Sequence, residues 1–168
     1  ATILNLEAKR IEEWKNEDFK FGYRESTLKN RAAFIVLSAT LQFQKKLPGA
    51  EQRLIMQHTL AKRHATQPKG KSAGCAFKNA TSLSPLDHKT ITTISAGKLI
   101  DECGLKGTRI GGVEISTIHA NFLKNLGDGT QQDFLDLIAL IKKTVKKEKN
   151  IDLHEEIQVV GETGPVHQ

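Results

Sequence analysis

Gly74 and Cys75 sit inside Ser72-Ala73-Gly74-Cys75-Ala76-Phe77-Lys78-Asn79, where the residues best suited to chemistry are concentrated. Gly74 lets the backbone turn or approach a ligand closely. Cys75 offers a titratable sulfur that can hold a proton against a substrate, Phe77 an apolar anchor, and Lys78 and Asn79 polar heads for an anion. The same residues also fit a glycine turn followed by a buried strand, with Cys75 as a small core side chain. A second cluster runs from Phe19 to Ser26 and holds two Phe, the only Tyr (Tyr23), a Gly and the pair Arg24-Glu25. The planar guanidinium of Arg24 suits a carboxylate or an enolate; a surface ion pair with Glu25 is the competing reading. Glu155 and Glu156 adjoin an expected strand, where only one of two neighbours can point each way. His119 stands alone, as a ligand contact or a structural side chain. No Ser-His-Asp arrangement and no metal-ligand cluster is evident, so no metal is expected.

These residues need elements to position them. Residues 1–16 read as a strand region with an irregular pattern. Residues 33–44 alternate, with Ile35, Leu37, Ala39, Leu41 and Phe43 on one face, which predicts a strand ended by Leu47-Pro48-Gly49. A helix is expected from about Ala50 to Arg63, with Leu54, Ile55, His58 and Ala61 on one side. Gln67 to Lys71 is a loop by composition, and so is Thr81 to Thr90 with its Pro85. Ser95 is a natural N-cap for a short helix carrying Leu99, Ile100 and Cys103, and Gly104 stands where such a helix stops. Leu105 to Gly112 is glycine-rich but lacks the residue order of a P-loop, so no nucleotide chemistry is assigned to it. Val113-Glu114-Ile115-Ser116 alternates like a strand, with another suggested at Asn121-Phe122-Leu123. Thr130 and Asp133 form a capping-box pair. Phe134, Leu137, Ile138, Ile141 and Val145 then fall on one buried face of a helix over 131–149. Ile157 to Val160 reads as a final strand. The fold class is α+β: a mainly antiparallel sheet, containing 33–44 and 157–160, with helices packed on it.

A chain of 168 residues suits one domain, or one domain with a small appendage, and can bury a core without disulfides or metal. Two cysteines and no secretory signal point to reduced thiols in a cytosol. No apolar run is long enough to span a membrane. The net charge of +6 favours an anionic partner. Much of the excess lies in Lys142, Lys143, Lys146, Lys147 and Lys149, at the end of the last helix, where cations suit the helix dipole. With one Trp and one Tyr, stacking platforms for bases are scarce. Nucleic-acid binding is the weaker alternative.

Taken in order, the segments resemble the C-terminal half of the UDP-N-acetylenolpyruvoylglucosamine reductase family. The resemblance rests on Phe21-Gly22-Tyr23-Arg24-Glu25-Ser26, Gly74-Cys75-Ala76-Phe77-Lys78-Asn79, Ala96-Gly97-Lys98-Leu99-Ile100-Asp101 and Gly104-Leu105-Lys106-Gly107. It continues through Ile110-Gly111-Gly112, His119-Ala120-Asn121-Phe122, Asn125 and Leu153-His154-Glu155-Glu156-Ile157. It implies a cytoplasmic bacterial flavoenzyme of peptidoglycan synthesis, in which NADPH reduces FAD and a hydride passes to UDP-N-acetylglucosamine enolpyruvate. The catalytic roles fall on Arg24 and Glu156, beside the reacting carboxylate, and on Cys75 as proton donor. Tyr23, Lys78 and Asn79 match substrate-binding positions. Cys75 stands where the family usually has Ser, and Ala80 where it often has Pro. FAD is held in this family mainly by an N-terminal half that precedes these motifs, so the chain is expected to be a fragment or a separately encoded half. Residues 1–30 would be the end of that flavin-binding region and 31–168 the substrate-binding domain. A non-enzymatic anion- or nucleic-acid-binding module using the basic surface is the competing class.

Overall fold

The computed structural model describes residues 1–29, 31–44, 47–83, 91–161 and 164–165. They form two compact units, Ala1–Glu51 and Gln52–Gln168.

In the first unit β1 (Thr2–Asn5) is the centre of a three-stranded antiparallel sheet. It lies between β2 (Arg10–Glu13) and β3 (Phe34–Ser38). Ile3 is fully buried there. A 3-10 turn over Asn16–Phe19 follows β2, and Trp14 packs edge-on against Phe19 and tilted against Phe34. The strand expected over 33–44 is shorter: β3 ends at Ser38. Its partner β1 has only four residues, and the register from Asn5↔Phe34 to Thr2↔Ser38 uses all of them. Leu41 and Phe43 therefore continue outside any strand and are strongly exposed. β3 is bonded to β1 and so belongs to the first unit.

In the second unit α1 (Gly49–Thr66, its first turn crossing the boundary) matches the expected helix but buries none of its residues. An extended segment from Lys71 to Lys78 follows. The expected loop over 81–90 is corrected in part. Ala80–Leu83 is β4 and pairs antiparallel with β5 (Ile91–Ile94), and the remainder, with Pro85, lies outside the described residues. The β-branched residues of Ile91-Thr92-Thr93-Ile94 favour a pleated backbone whatever their polarity. Ser95 caps α2 (Ala96–Glu102), its hydroxyl accepting from the Lys98 N–H at 3.3 Å. A meander follows of β6 (Arg109–Ile110), β7 (Val113–Ile115) and β8 (Leu123–Asn125).

The helix α3 (Gln131–Lys149) packs on β6, β7 and α2, and Leu137, Ile138, Ile141 and Val145 are buried as its periodicity requires. Thr130 Oγ1 accepts from Asp133 N–H at 3.1 Å and Asp133 Oδ2 accepts from Thr130 N–H at 2.9 Å. The same carboxylate accepts from Gly112 N–H at 3.3 Å. The glycine-rich connection is thus a packing device: a Cβ on Gly112 would strike the backbone of Asp128 and Gly129. The expected strand over 157–160 is not formed. Among the described residues, pairing there is confined to β9 (Val160–Gly161) with β10 (Gly164–Pro165), in a sheet that does not contain β3. Among the described residues no helix is long and apolar enough to cross a membrane, and no group of three or more acidic, His or Cys side chains could hold a metal.

Candidate active site

The Cys75–Lys78 segment is the middle member of a three-strand arrangement built from isolated bridges. On one side Cys75 pairs with Phe122, and Ala76 N–H donates to Asn121 O at 2.8 Å. On the other, Phe77 pairs with Glu155, Glu156 N–H donates to Ala76 O at 2.8 Å, and Lys78 N–H donates to His154 O at 2.8 Å. Gly74 enters this arrangement at φ 89, a left-handed conformation that a side chain resists. Ala76 and Phe77 are buried in the core, while Cys75, Lys78 and Glu156 are half-buried at its margin. The expected glycine turn is present, but the segment after it is extended through isolated bridges rather than a strand, and Cys75 is half-buried. Cys75 and Glu156, far apart in sequence, are brought to neighbouring backbone positions.

The two adjacent glutamates are distinguished by α3. Glu155 Oε1 accepts from Lys142 Nζ at 2.8 Å and is largely covered, while both glutamates join the Cys75–Lys78 segment through their backbone. Asn79 Oδ1 accepts from the Ala96 N–H at 3.2 Å, so α2 fixes the orientation of this amide. His119 reads as structural: its ring packs edge-on against Phe122 and its Nδ1 accepts from Asn121 N–H at 3.2 Å. Burial pushes its pKa below the usual histidine value. Cys103 is half-buried, and burial pushes its thiol pKa up, as befits a core sulfur.

Tyr23 and Arg24 belong to the first unit. They form the corner of a two-residue turn closed by Gly22 and Glu25, with Gly22 N–H donating to Glu25 O at 2.9 Å. Arg24 sits at φ 57, where Gly or Asn is favoured, and a left-handed residue of its type costs about 1–2 kcal/mol. Its guanidinium lies 5.6 Å from the Tyr23 ring centre, and Lys29 Nζ donates to its carbonyl at 2.5 Å. Arg24 lines a cleft of about 500 Å³ with Phe21, Ser26 and Lys29.

The residue that the sequence did not single out is Asn121. It is 3% exposed, and its amide bonds both polar groups of Phe77. A polar residue inside the apolar run Ala120-Asn121-Phe122-Leu123 is the signal available in sequence, since buried polar groups need partners.

Comparison with known proteins adds the family. The model of the UDP-N-acetylenolpyruvoylglucosamine reductase C-terminal domain matches residues 66–160. A UDP-N-acetylenolpyruvoylglucosamine reductase of Bacillus licheniformis is 40% identical over 161 residues, covering 95% of this chain and 81% of that protein. One from Chlamydia pneumoniae is 41% identical over 152 residues, covering 90% of this chain and 45% of that protein. The crystal structure of the Thermus caldophilus enzyme aligns with a TM-score of 0.68 at 36% identity, covering 90% of this chain and 49% of that one. The chain belongs to the UDP-N-acetylenolpyruvoylglucosamine reductase family. It spans about half the length of most of the relatives it matches.

Proposed function

We propose that this chain is the substrate-binding and catalytic half of a reductase that converts UDP-N-acetylglucosamine enolpyruvate to UDP-N-acetylmuramate, in the bacterial cytoplasm, for peptidoglycan synthesis. The observation that carries the proposal is the backbone pairing at the margin of the core in which Glu156 N–H donates to the carbonyl of Ala76, the residue after Cys75. In this reading Gln52–Gln168 is the substrate-binding domain, and Ala1–Glu51 is the end of the flavin-binding region.

The Arg24 cleft is open and lined by charged side chains, and the apolar residues of β3 are uncovered. FAD would be held mainly by the remaining half of the reductase, on the same longer polypeptide or on a separate one. When bound there and reduced by NADPH, it supplies the hydride. The remaining chemistry falls to residues of this chain. Hydride addition to the far carbon of the enolpyruvyl double bond leaves an electron pair on the carbon next to the carboxylate. Arg24 stabilises the resulting enolate, with Glu156 beside the reacting carboxylate in the role the family resemblance gives it. The Cys75 thiol gives its proton to that carbon, and the thiolate regains one from water. Tyr23, Lys78 and Asn79 bind the nucleotide-sugar, Lys78 and Asn79 toward its diphosphate.

The lysines of α3 weigh against a basic docking face. Lys142, Lys146 and Lys149 are paired with Glu155, Asp152 and Glu102 at 2.7–2.9 Å. The test is NADPH oxidation by the chain mixed with a flavin-binding half from a relative. Oxidation that depends on the enolpyruvyl UDP-sugar is expected. A yellow, NADPH-reducible complex that never reduces this substrate would reject the proposal.

A further inference from the structure

Asn121 holds a peptide that an ordinary strand partner would hold with its backbone. The chain turns at His119–Phe122, with Phe122 N–H donating to His119 O at 3.0 Å, so the partner strand cannot supply both groups opposite Phe77. The Asn121 side chain stands in. Its Oδ1 accepts from Phe77 N–H at 2.9 Å, and its Nδ2 donates to Phe77 O at 2.8 Å. Its own carbonyl accepts from Ala76 N–H at 2.8 Å. Three bonds thus fall on the two residues that follow Cys75, and the opposite edge of the same two residues carries Glu155 and Glu156. Asn121 is itself fixed by its N–H donating to His119 Nδ1.

We propose that Asn121 is a positioning residue that acts through Phe77 to fix the Cys75 sulfur and Glu156 relative to one another. The catalytic consequence rests on the reductase function proposed for this chain; the geometric claim does not. A shift of Phe77 moves both neighbours at once, and a misplacement of about 1 Å can cost about 10²-fold in rate.

The test uses the full 168-residue chain and reads each thiol separately, as the alkylation rate of Cys75 and Cys103 peptides by iodoacetamide over a pH series. In Asn121→Ala, the Cys75 rate relative to Cys103 should change by about fivefold or more, with Cys103 still protected. If Asn121→Ala unfolds, Cys103 reacts as fast as in urea, and Asn121→Asp then decides. Its protonated carboxyl can accept from Phe77 N–H and donate to Phe77 O, whereas the ionised form faces the Phe77 carbonyl with no donor. The Cys75 rate relative to Cys103 should then match the parent at low pH and depart from it as the new carboxyl ionises. A folded variant whose relative Cys75 rate equals the parent's throughout overturns the proposal. So does exposure of Cys103 in both variants, which would make Asn121 a residue that only holds the fold. In the complex with a flavin-binding half, Asn121→Ala should leave flavin reduction by NADPH unchanged and slow its reoxidation by the enolpyruvyl substrate about 10²-fold. A parent complex without any such reoxidation sinks the reductase reading while leaving the thiol measurement intact.

Discussion

Arg24 combines a cation with a backbone conformation that resists it, and the two can be separated by mutation. Arg24→Gly relieves the positive φ and should stabilise the first unit by about 1 kcal/mol in chemical denaturation while removing the proposed carboxylate contact. Arg24→Lys keeps the charge but loses the planar fork, so substrate turnover should still fall. Equal turnover by Arg24→Gly and the parent would remove Arg24 from the site. Cys75→Ala should leave flavin reduction intact and slow substrate turnover by about 10²–10⁴-fold, the usual effect of losing a positioned acid. Cys75→Ser should retain substantial activity, because a hydroxyl there is the donor implied by the family resemblance. Glu12 gives a pH prediction. Hydrogen bonds from Trp14, then Arg10 and Asn5, hold its pKa at about 2 against an ordinary 4.5. The folded state therefore binds fewer protons than the unfolded state between those values. The contribution of Glu12 is complete above about pH 4.5 and disappears as pH falls toward 2. Fluorescence of Trp14, the only tryptophan, should report this acid transition, and Glu12→Gln should abolish its pH dependence.

The helix α3 is the element whose sequence and structure agree most closely, because capping box, buried face and dipole-compatible lysines specify the same helix. Leu137 is fully buried among core residues, and Leu137→Ala should lower the stability of the second unit by about 2–5 kcal/mol in urea unfolding. A loss below about 1 kcal/mol would mean that the site collapses around the deletion. α1 is the opposite case. Its helical residues are local helix formers, but the apolar residues Leu54, Ile55, Met56 and Leu60 remain exposed. Strand β3 shares that property: Ile35, Val36 and Leu37 are each about half-exposed, on both faces of an edge strand. A continuous apolar run of this kind suits a strand covered on both sides.

At the scale of the whole molecule, the half-exposed apolar run of β3 is where, on the proposed function, a flavin-binding half would pack. Val36→Glu should leave the folding of the 168-residue chain nearly unchanged and weaken its association with a flavin-binding half by about tenfold or more, since a buried unpaired charge is costly. The chain alone should bind the UDP-sugar weakly and FAD hardly at all by calorimetry. Stoichiometric FAD binding by the isolated chain would contradict the assignment of the cofactor to the other half.

What the sequence determined by itself are the features that depend on near neighbours. The boundaries of α3, the Ser95 cap of α2 and the glycine turn before Cys75 are set within a few residues by capping, periodicity and φ preference, and they were legible. The order of motifs also carried the family. Tertiary structure alone decided where the alternating run after Phe34 stops being a strand, because hydrogen bonds need a partner and β1 ends after four residues. It formed β4 at the start of a polar stretch that reads as a loop, because its pairing with β5 is invisible to composition. It also gave Asn121 its place opposite Phe77. The β1–β3 pairing and the Asn121–Phe77 bonds join segments tens of residues apart, and the spacing along a chain says nothing about which distant segment will lie beside it.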